Sequence, residues 1–556
     1  MASFLKKGES SAIDIIDFWP GAGLLSSKVN EFLRPRHHLL VQSEEKTDRA
    51  VRPFLNDLLS KNASYKPVFI DPWQDQDWAG LLETYLPEQH RPKGTTQGEL
   101  VKNDALLVLS SPFVLGSRKG HYTSARWWSK FVKTCAQQSE LHTYGCVRLI
   151  ALMPSAEAEI ILPRAVRDRK GPALLTEAIS SSVFEVASEN KLSNWVIGQP
   201  WSLTERESAR VSERAAEQGI VTPAGRERPP IPTIPREERF LQDGVRYVPH
   251  AVYGTMAELA ATLAGRPVGE AAKKIPLAKN LMRVENRAVA IATSLTEEQS
   301  DIDESMRTLA RAAADPNMDP DVLRVLDQKI RSMRGHVDES IRNQTRRVIL
   351  LTRFYIDAVR AAGNLDDAVL LYDRRPFEPL QMEREELYPV DVPTSVLYFE
   401  ADLNSKLARE ISRTEPSKRN DLVAFIEATL PALVSQTNRT LAELFQLLFP
   451  GESANNLVQA IPGLSKVAAK SLKPGFEHLP KSDPQVPSGN SFQENINYDF
   501  FDIRVRALPA PTLIGILLAY YKAPTSLPAM ELVRHLGGFV TSPTATRTFY
   551  PEKKIG

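Results

Sequence analysis

The sequence predicts an α/β fold in which helices cover both faces of a doubly wound, mostly parallel sheet. Three observations carry this prediction. Six short apolar runs between Ile13 and Ala187 alternate with stretches of helical spacing. The first run closes on Pro20-Gly21-Ala22-Gly23 and opens directly into a helical pattern. Acids, amides and hydroxyls gather just beyond several of the runs, where open α/β sheets bind their ligands.

In chain order, the first strand lies in Ile13–Ser26 (IDIIDFWPGAGLLS) and its helix continues over Ser26–Leu33. Glycines in that turn let backbone approach a ligand, and the helix behind offers free N–H groups. The alternative, a plain turn, stands beside this reading. His37–Gln42 is the second strand, followed closely by Glu44 and Glu45, and Arg49–Ser60 has helical spacing. Lys66–Ile70 is the third strand, ending at Asp71 in DPWQDQDW, and Trp78–Tyr85 is helical. Ala105–Leu109 is the fourth strand and runs into Ser110-Ser111-Pro112-Phe113. A helix over Trp127–Ala136, a fifth strand at Val147–Met153, a helix at Ser155–Leu162 and a sixth strand at Val183–Ala187 complete the pattern. The ligand-facing candidates are therefore Asp17–Gly23, Gln42–Glu45, Asp71–Trp73 and Ser110–Phe113.

Beyond this core the character changes. Residues 204–366 read as a proline-rich linker, densest over Thr222–Pro249, and a helical insertion with helices at Thr255–Ala264, Leu281–Ser294, Glu297–Ala314 and a pair within Asp319–Ala362. The basic stretch Arg331–Arg353 is favoured as a solvated helix face, with a phosphate-binding surface as the alternative. Residues 367–400 are expected to return to the sheet, with a strand at Ala368–Tyr372. Residues 401–556 are expected to form a helical C-terminal domain, with helices at Ser405–Ile411, Asp421–Val434, Thr440–Leu448 and Thr512–Tyr521, and a loose loop at Lys470–Asn495.

The 556 residues suggest two to four domains at roughly 150 residues each. The net charge of +1 neither supports nor excludes nucleic acid. Two cysteines, Cys135 and Cys146, and nine scattered histidines give no zinc spacing and no disulfide framework, so no metal is expected and a reducing compartment is favoured. There is no apolar run of about 18 residues, so no spanning helix is expected. The opening MASFLKKGESS has neither a secretory signal's length nor a matrix-targeting peptide's arginine-rich character.

The first loop narrows the chemistry. A nicotinamide loop prefers three glycines, and only Gly21 and Gly23 are present. A phosphate-binding lysine of Walker type is absent from the loop. An acid before the loop (Asp17), an acid or amide after the second strand (Gln42 or Glu44) and an acid after the third (Asp71) instead suit S-adenosylmethionine. They would meet its amino acid, ribose and adenine in turn. A helix cap or turn role is the alternative for each acid.

DFWPGAGLLS resembles the first motif of the ribosomal RNA adenine dimethyltransferases, usually Asp/Glu-x-Gly-Pro-Gly-x-Gly, and is closer to the fungal mitochondrial transcription factor B branch of that family. PRHHLLVQ, DPWQDQDW, VRLIALMPSAEAEIILPRA and RVRALPAPTLIGILLAYYKAP are similar to further segments of that branch. The resemblance covers about the first 200 residues well and the C-terminal part loosely. It implies a Rossmann-like class I S-adenosylmethionine methyltransferase fold over residues 1–203.

Departures from the family pattern shape the functional expectation. Trp19 stands where the family has the loop's first glycine. Gln42 replaces an acid. Ser110-Ser111-Pro112-Phe113 replaces the Asn-Leu/Ile-Pro-Tyr that holds and stacks the target adenine, so Ser110, Pro112 and Phe113 are a degenerate catalytic motif. The resemblance therefore implies a mitochondrial transcription initiation factor that helps a phage-type RNA polymerase melt promoters, with S-adenosylmethionine as its candidate cofactor, working or vestigial. The alternatives are an S-adenosylmethionine-dependent rRNA adenine N6-methyltransferase and a non-catalytic ribosome-assembly factor. The expected partners are the mitochondrial RNA polymerase and promoter DNA or rRNA, with no membrane, the chain acting as a monomer. The matrix location rests on the resemblance alone. In YTSARWWSKFVK, the interleaved Arg126, Trp127, Trp128 and Lys130 are candidates to hold a melted strand, with burial of one tryptophan on the sheet as the alternative.

Overall fold

The computed structural model describes residues 2–5, 13–42, 51–70, 72, 78–91, 100–113, 123–189, 199–227, 268–315, 317–386, 392–475 and 492–538. Eight strands form one sheet: β1 (Asp14–Phe18), β2 (His37–Gln42), β3 (Tyr65–Phe69), β4 (Lys102–Ser110), β5 (Cys146–Pro154), β6 (Ser180–Glu189), β7 (Leu380–Met382) and β8 (Thr394–Ala401). Their order is β3-β2-β1-β4-β5-β8-β6-β7. Only β8 runs antiparallel, wedged between β5 and β6. The α/β expectation thus holds, with a mostly parallel sheet flanked by helices.

Strand alternation assigns the two faces. Phe18, Ile16 and Val108 point to one face, together with the helices α4 (Trp78–Tyr85), α5 (Ser124–Gln137), α6 (Ser155–Ile161) and α7 (Gly171–Ile179). Ile15, Leu107 and Leu109 point to the other, where α1 (Ala2–Leu5) and α2 (Leu24–Leu33) pack. Leu40 and Tyr65 meet Leu55 of α3 (Arg52–Lys61) there as well. α8 (Trp201–Glu217) lays Ala215 against that same face, while its Leu203 packs on Ala358 and Ala362. The region read as linker and insertion therefore starts inside a helix that is part of the packed structure.

Several expectations are corrected. Leu281–Ser294 and Glu297–Ala314 are one helix, Val268–Ala313, about 69 Å long at 1.5 Å per residue. Leu295 and Thr296, at the expected break, are both buried and continue the helical stripe of Ala288, Ala292, Ile302 and Leu309. Ala368–Tyr372 is not a strand. Val369 donates its N–H to the Ala361 carbonyl, and the segment tightens into a 3-10 turn at Leu371–Arg374. Its apolar residues are buried among helices, so apolarity alone misassigned it. The first residues of Lys470–Asn495 are strand, not loop: β9 (Ala469–Leu472) pairs antiparallel with β10 (Ile496–Asp499), which begins just beyond that segment. The helix pair within Asp319–Ala362 is present as Pro320–Arg342 and Arg346–Ala362. The helix expected at Thr255–Ala264 and most of the proline-rich stretch lie outside the described residues.

The C-terminal helices join the core through buried charge. Arg169, fully buried, grips the Glu177 carboxylate of α7 and donates to the carbonyls of Arg506 (2.8 Å) and Leu508 (2.5 Å). That contact docks the start of the Ala510–Tyr521 helix onto α7. Among the described residues no helix is long and apolar enough to cross a membrane.

Candidate functional site

The strand order places the topological switch point between β1 and β4. β1 feeds α2 on one face and β4 feeds α5 on the other, so the chain diverges at their C-terminal ends. The first loop, the end of β4 and the start of α5 all converge there, as the sequence predicts.

The loop is built by local geometry. The Trp19 N–H donates to the Val41 carbonyl at 3.0 Å, extending the β1–β2 ladder by one step. Trp19 then turns left-handed (φ 56°), an uncommon conformation for a bulky residue. Gly23 N–H donates to the Pro20 carbonyl at 2.9 Å and closes a tight turn, with Gly21 at φ 57° and Gly23 at φ 76°. The two glycines serve different ends. A Cβ on Gly21 would meet nothing within 4 Å, whereas one on Gly23 would lie 2.2 Å from Leu58 Cδ1 of α3. Gly23 is thus small because a helix packs on it.

Asp17 is buried and points to the face that α2 and α3 cover. Its carboxylate accepts the Ser26 hydroxyl at 2.5 Å and stands 3.5 Å from His38 Nε2. Asn30 Nδ2 lies 3.1 Å from His38 Nδ1, and Asn30 is itself held by Ser64 and Asn62. Asn30 holds the ring at Nδ1, so Nε2 faces Asp17. Burial, followed by the Asp17 charge, raises the Tyr65 phenol above its ordinary range. Ser26, Asn30 and His38 were not singled out from the sequence. Their only signal is polar residues at inward positions of a helix and a strand.

On the opposite face Phe18, Trp78 and Trp127 form a buried aromatic cluster. Phe18 lies 4.4 Å from Trp78 and 6.0 Å from Trp127, ring centre to ring centre. Half-buried Trp19 meets Trp127 edge-on at 6.0 Å, and Trp127 stacks on Phe131 at 5.7 Å. Lys130 Nζ sits 5.7 Å above the Trp78 ring. Trp19 thus packs its half-buried ring on the edge of that apolar cluster.

At the end of β4, Ser110 pairs with Phe18, and its buried hydroxyl has no hydrogen-bond partner. The Ser111 N–H donates to the Phe18 carbonyl at 3.0 Å. Pro112 is buried, and its carbonyl accepts the Ser124 hydroxyl at 2.8 Å, tying the strand end to the start of α5. Phe113 is half-buried. Gln42 is half-buried at the end of β2, where its carbonyl accepts the Ile70 N–H at 3.1 Å. Glu44 and Asp71 lie outside the described residues.

The four residues proposed to hold nucleic acid divide. Trp128 is fully buried, donates its indole N–H to Thr176 Oγ1 at 2.9 Å and meets Phe399 edge-on. Trp127 is also buried. Neither ring is open to stack on a base, because α5 turns its apolar stripe onto the sheet. Arg126 and Lys130 are half-buried and line a groove of about 530 Å³ between α5, α7 and the Arg419–Leu433 helix. Lys133 joins them there, paired with Glu427 at 2.9 Å. Helical spacing from Arg126 and Lys130 reaches Lys133, so this third cation was legible in the sequence. Among the described residues no cluster of metal-ligating side chains occurs. No family model matches this chain, and no curated protein matches it.

Proposed function

We propose that this chain is a nucleic-acid-binding protein on a methyltransferase-type scaffold. In this reading it acts as a mitochondrial transcription initiation factor that helps a phage-type RNA polymerase open promoter DNA. One observation supports the reading: Arg126, Lys130 and Lys133 of α5 line a single groove, while the loop acid Asp17 is buried against Ser26 and His38. The sheet order supports the scaffold. It departs from the 3-2-1-4-5-6 order of dinucleotide-binding sheets by an antiparallel strand between β5 and β6, which favours a methyltransferase-type core over a nicotinamide-binding one.

The described residues do not fit S-adenosylmethionine as a working cofactor. Its amino acid part needs an accessible acid beside the loop, and Asp17 is buried and engaged. Its approach needs a small residue after the first strand, and that place holds Trp19. At the end of β4, Ser110 has no amide with which to grip an adenine. The three cations of the α5 groove, Lys133 pairing there with Glu427, support contact with phosphate instead.

The test has two arms. Calorimetric titration with S-adenosylmethionine is expected to give no binding by the folded wild-type protein. Promoter DNA carrying 2-aminopurine near the start site is expected to brighten only when this protein and the polymerase are both present. The Arg126→Ala/Lys130→Ala variant should weaken binding to single-stranded DNA and reduce the salt slope by about one unit per lost phosphate contact. Micromolar S-adenosylmethionine binding with methyl transfer to rRNA, and no promoter opening, overturns the reading in favour of the enzyme.

A further inference from the structure

The Val268–Ala313 helix carries two stripes of opposite character. Leu295, Ile302 and Leu309, seven residues apart in turn, are buried. Thr293, Ser300 and Arg307, also seven apart, share the other face, with Glu297 and Asp301 beside them. This second stripe is polar, yet it looks across a groove of about 590 Å³ at other parts of the protein. The far wall is built from the start of α8, the end of the Arg346–Ala362 helix and the turn at Pro462–Lys466. From Thr293 to Arg307 the groove follows the helix for about 21 Å, at 1.5 Å per residue.

The floor of the groove is paired within itself. Arg360 donates to the two Asp303 carboxylate oxygens at 2.7 and 3.0 Å and to Asp502 at 3.2 Å. Asp303 also accepts from Gln299 Nε2 at 2.9 Å. The charges higher in the groove are not used in this way. Arg206 and Lys466 are exposed and make no ion pair among the described residues. Arg307 pairs only with Glu304, exposed on its own helix, at 2.9 Å, and such a surface pair is worth little. Glu297 and Asp301, exposed and one turn apart, have no ionic partner among the described residues either. Val359, Val467 and Pro509 add apolar surface.

We propose that this groove binds a ribonucleoside triphosphate, with its phosphates on Arg206, Arg307 and Lys466 and its ribose hydroxyls on Glu297 and Asp301. Cations from three separate segments of chain converge here, and convergent charged groups on a partly apolar cavity are the mark of a small-molecule site. Arginine and lysine are the side chains that hold phosphate oxygens. Carboxylates accept hydrogen bonds from sugar hydroxyls and repel phosphates, so the two sets of charges orient the ligand. Along the helix Asp301 stands about 9 Å and Glu297 about 15 Å from Arg307, which separates a sugar end from a phosphate end. The apolar surface of Val359, Val467 and Pro509 is left for the base. This site is distinct from the α5 groove, and the inference does not rest on nucleic acid being held there.

Calorimetric titration of the full chain with ATP is expected to show one site per chain. Inorganic phosphate and adenosine, each titrated alone, should bind at least about tenfold more weakly, because each keeps only one end of the contacts. Arg206→Ala/Lys466→Ala should weaken ATP binding about tenfold or more. Lys329→Ala/Arg346→Ala removes the same charge from exposed positions outside the groove and should leave binding unchanged. All four side chains are exposed, so circular dichroism should show each variant folded. In the wild type dATP should bind more weakly than ATP, and Glu297→Gln/Asp301→Asn should abolish that difference. No ATP binding by the folded chain, an equal loss in the two cation variants, or equal binding of ATP and dATP by the wild type overturns the proposal.

Discussion

His142 makes the fold sensitive to acid, by an amount that can be worked out. The ring is fully buried between α5 and β5 and lies edge-on to Phe131 at 4.5 Å. Its Nδ1 accepts the Val147 N–H at 3.2 Å, so the neutral ring carries its proton on Nε2 and donates to the Phe131 carbonyl at 3.1 Å. Burial pushes its pKa down to about 3, against an ordinary value near 6.5. The unfolded chain therefore takes up the proton first. Stability is complete above pH 6.5 and is lost as pH falls from there towards 3, at about 1.4 kcal/mol per unit. Between pH 7 and pH 5 the loss is about 2 kcal/mol. Buried Asp357, raised to about 6 chiefly by desolvation, works in the opposite sense, because its folded form takes up a proton before the unfolded chain does. A comparison of wild type with His142→Gln cancels that contribution. Glutamine keeps a donor and an acceptor but does not titrate. Urea unfolding, followed by tryptophan fluorescence at pH 7, 6 and 5, should give a slope that is shallower in the variant by about 2 kcal/mol over the range. Equal slopes in the two proteins would refute the assignment of His142 as a neutral, buried ring.

Two further predictions concern packing. Gly23→Ala should cost about 2 kcal/mol, part from a left-handed alanine and part from the clash with Leu58. Adding Leu58→Ala should recover the steric part in a urea double-mutant cycle, and strict additivity would show that the two residues do not meet. Arg169→Met should cost about 3–5 kcal/mol, because Glu177 is left buried without a partner. The double variant Arg169→Met/Glu177→Leu should regain much of that loss in the same assay, and no recovery would show that the backbone carbonyls of Arg506 and Leu508 dominate.

The legible part of the site was the part set by local pattern. Pro20-Gly21-Ala22-Gly23 after an apolar run fixed the position of the loop, because a strand that ends in such a turn must hand over to a helix. The polar and proline residues at 110–113 likewise marked the end of β4. The use of each side chain was not legible. Asp17 reads equally well as a ligand-facing acid and as a buried acceptor, and only the positions of Ser26 and His38, nine and twenty-one residues away, decide for the second. Trp127 and Trp128 read as aromatics beside cations. Their burial follows from the way α5 rolls onto the sheet, which depends on Phe18, Thr176 and Phe399.

The sequence by itself determined the alternation of strands and helices, the parallel character of the first five strands and the turns that end β1 and β4. These follow from short-range periodicity and from turn residues whose backbone preferences act within a few positions. The tertiary structure alone decided where β8 inserts, why Gly23 must be a glycine and why Ala368–Tyr372 is buried without becoming a strand. Each of these depends on which surfaces meet across long stretches of chain, and an apolar or polar residue carries no mark of its eventual neighbour.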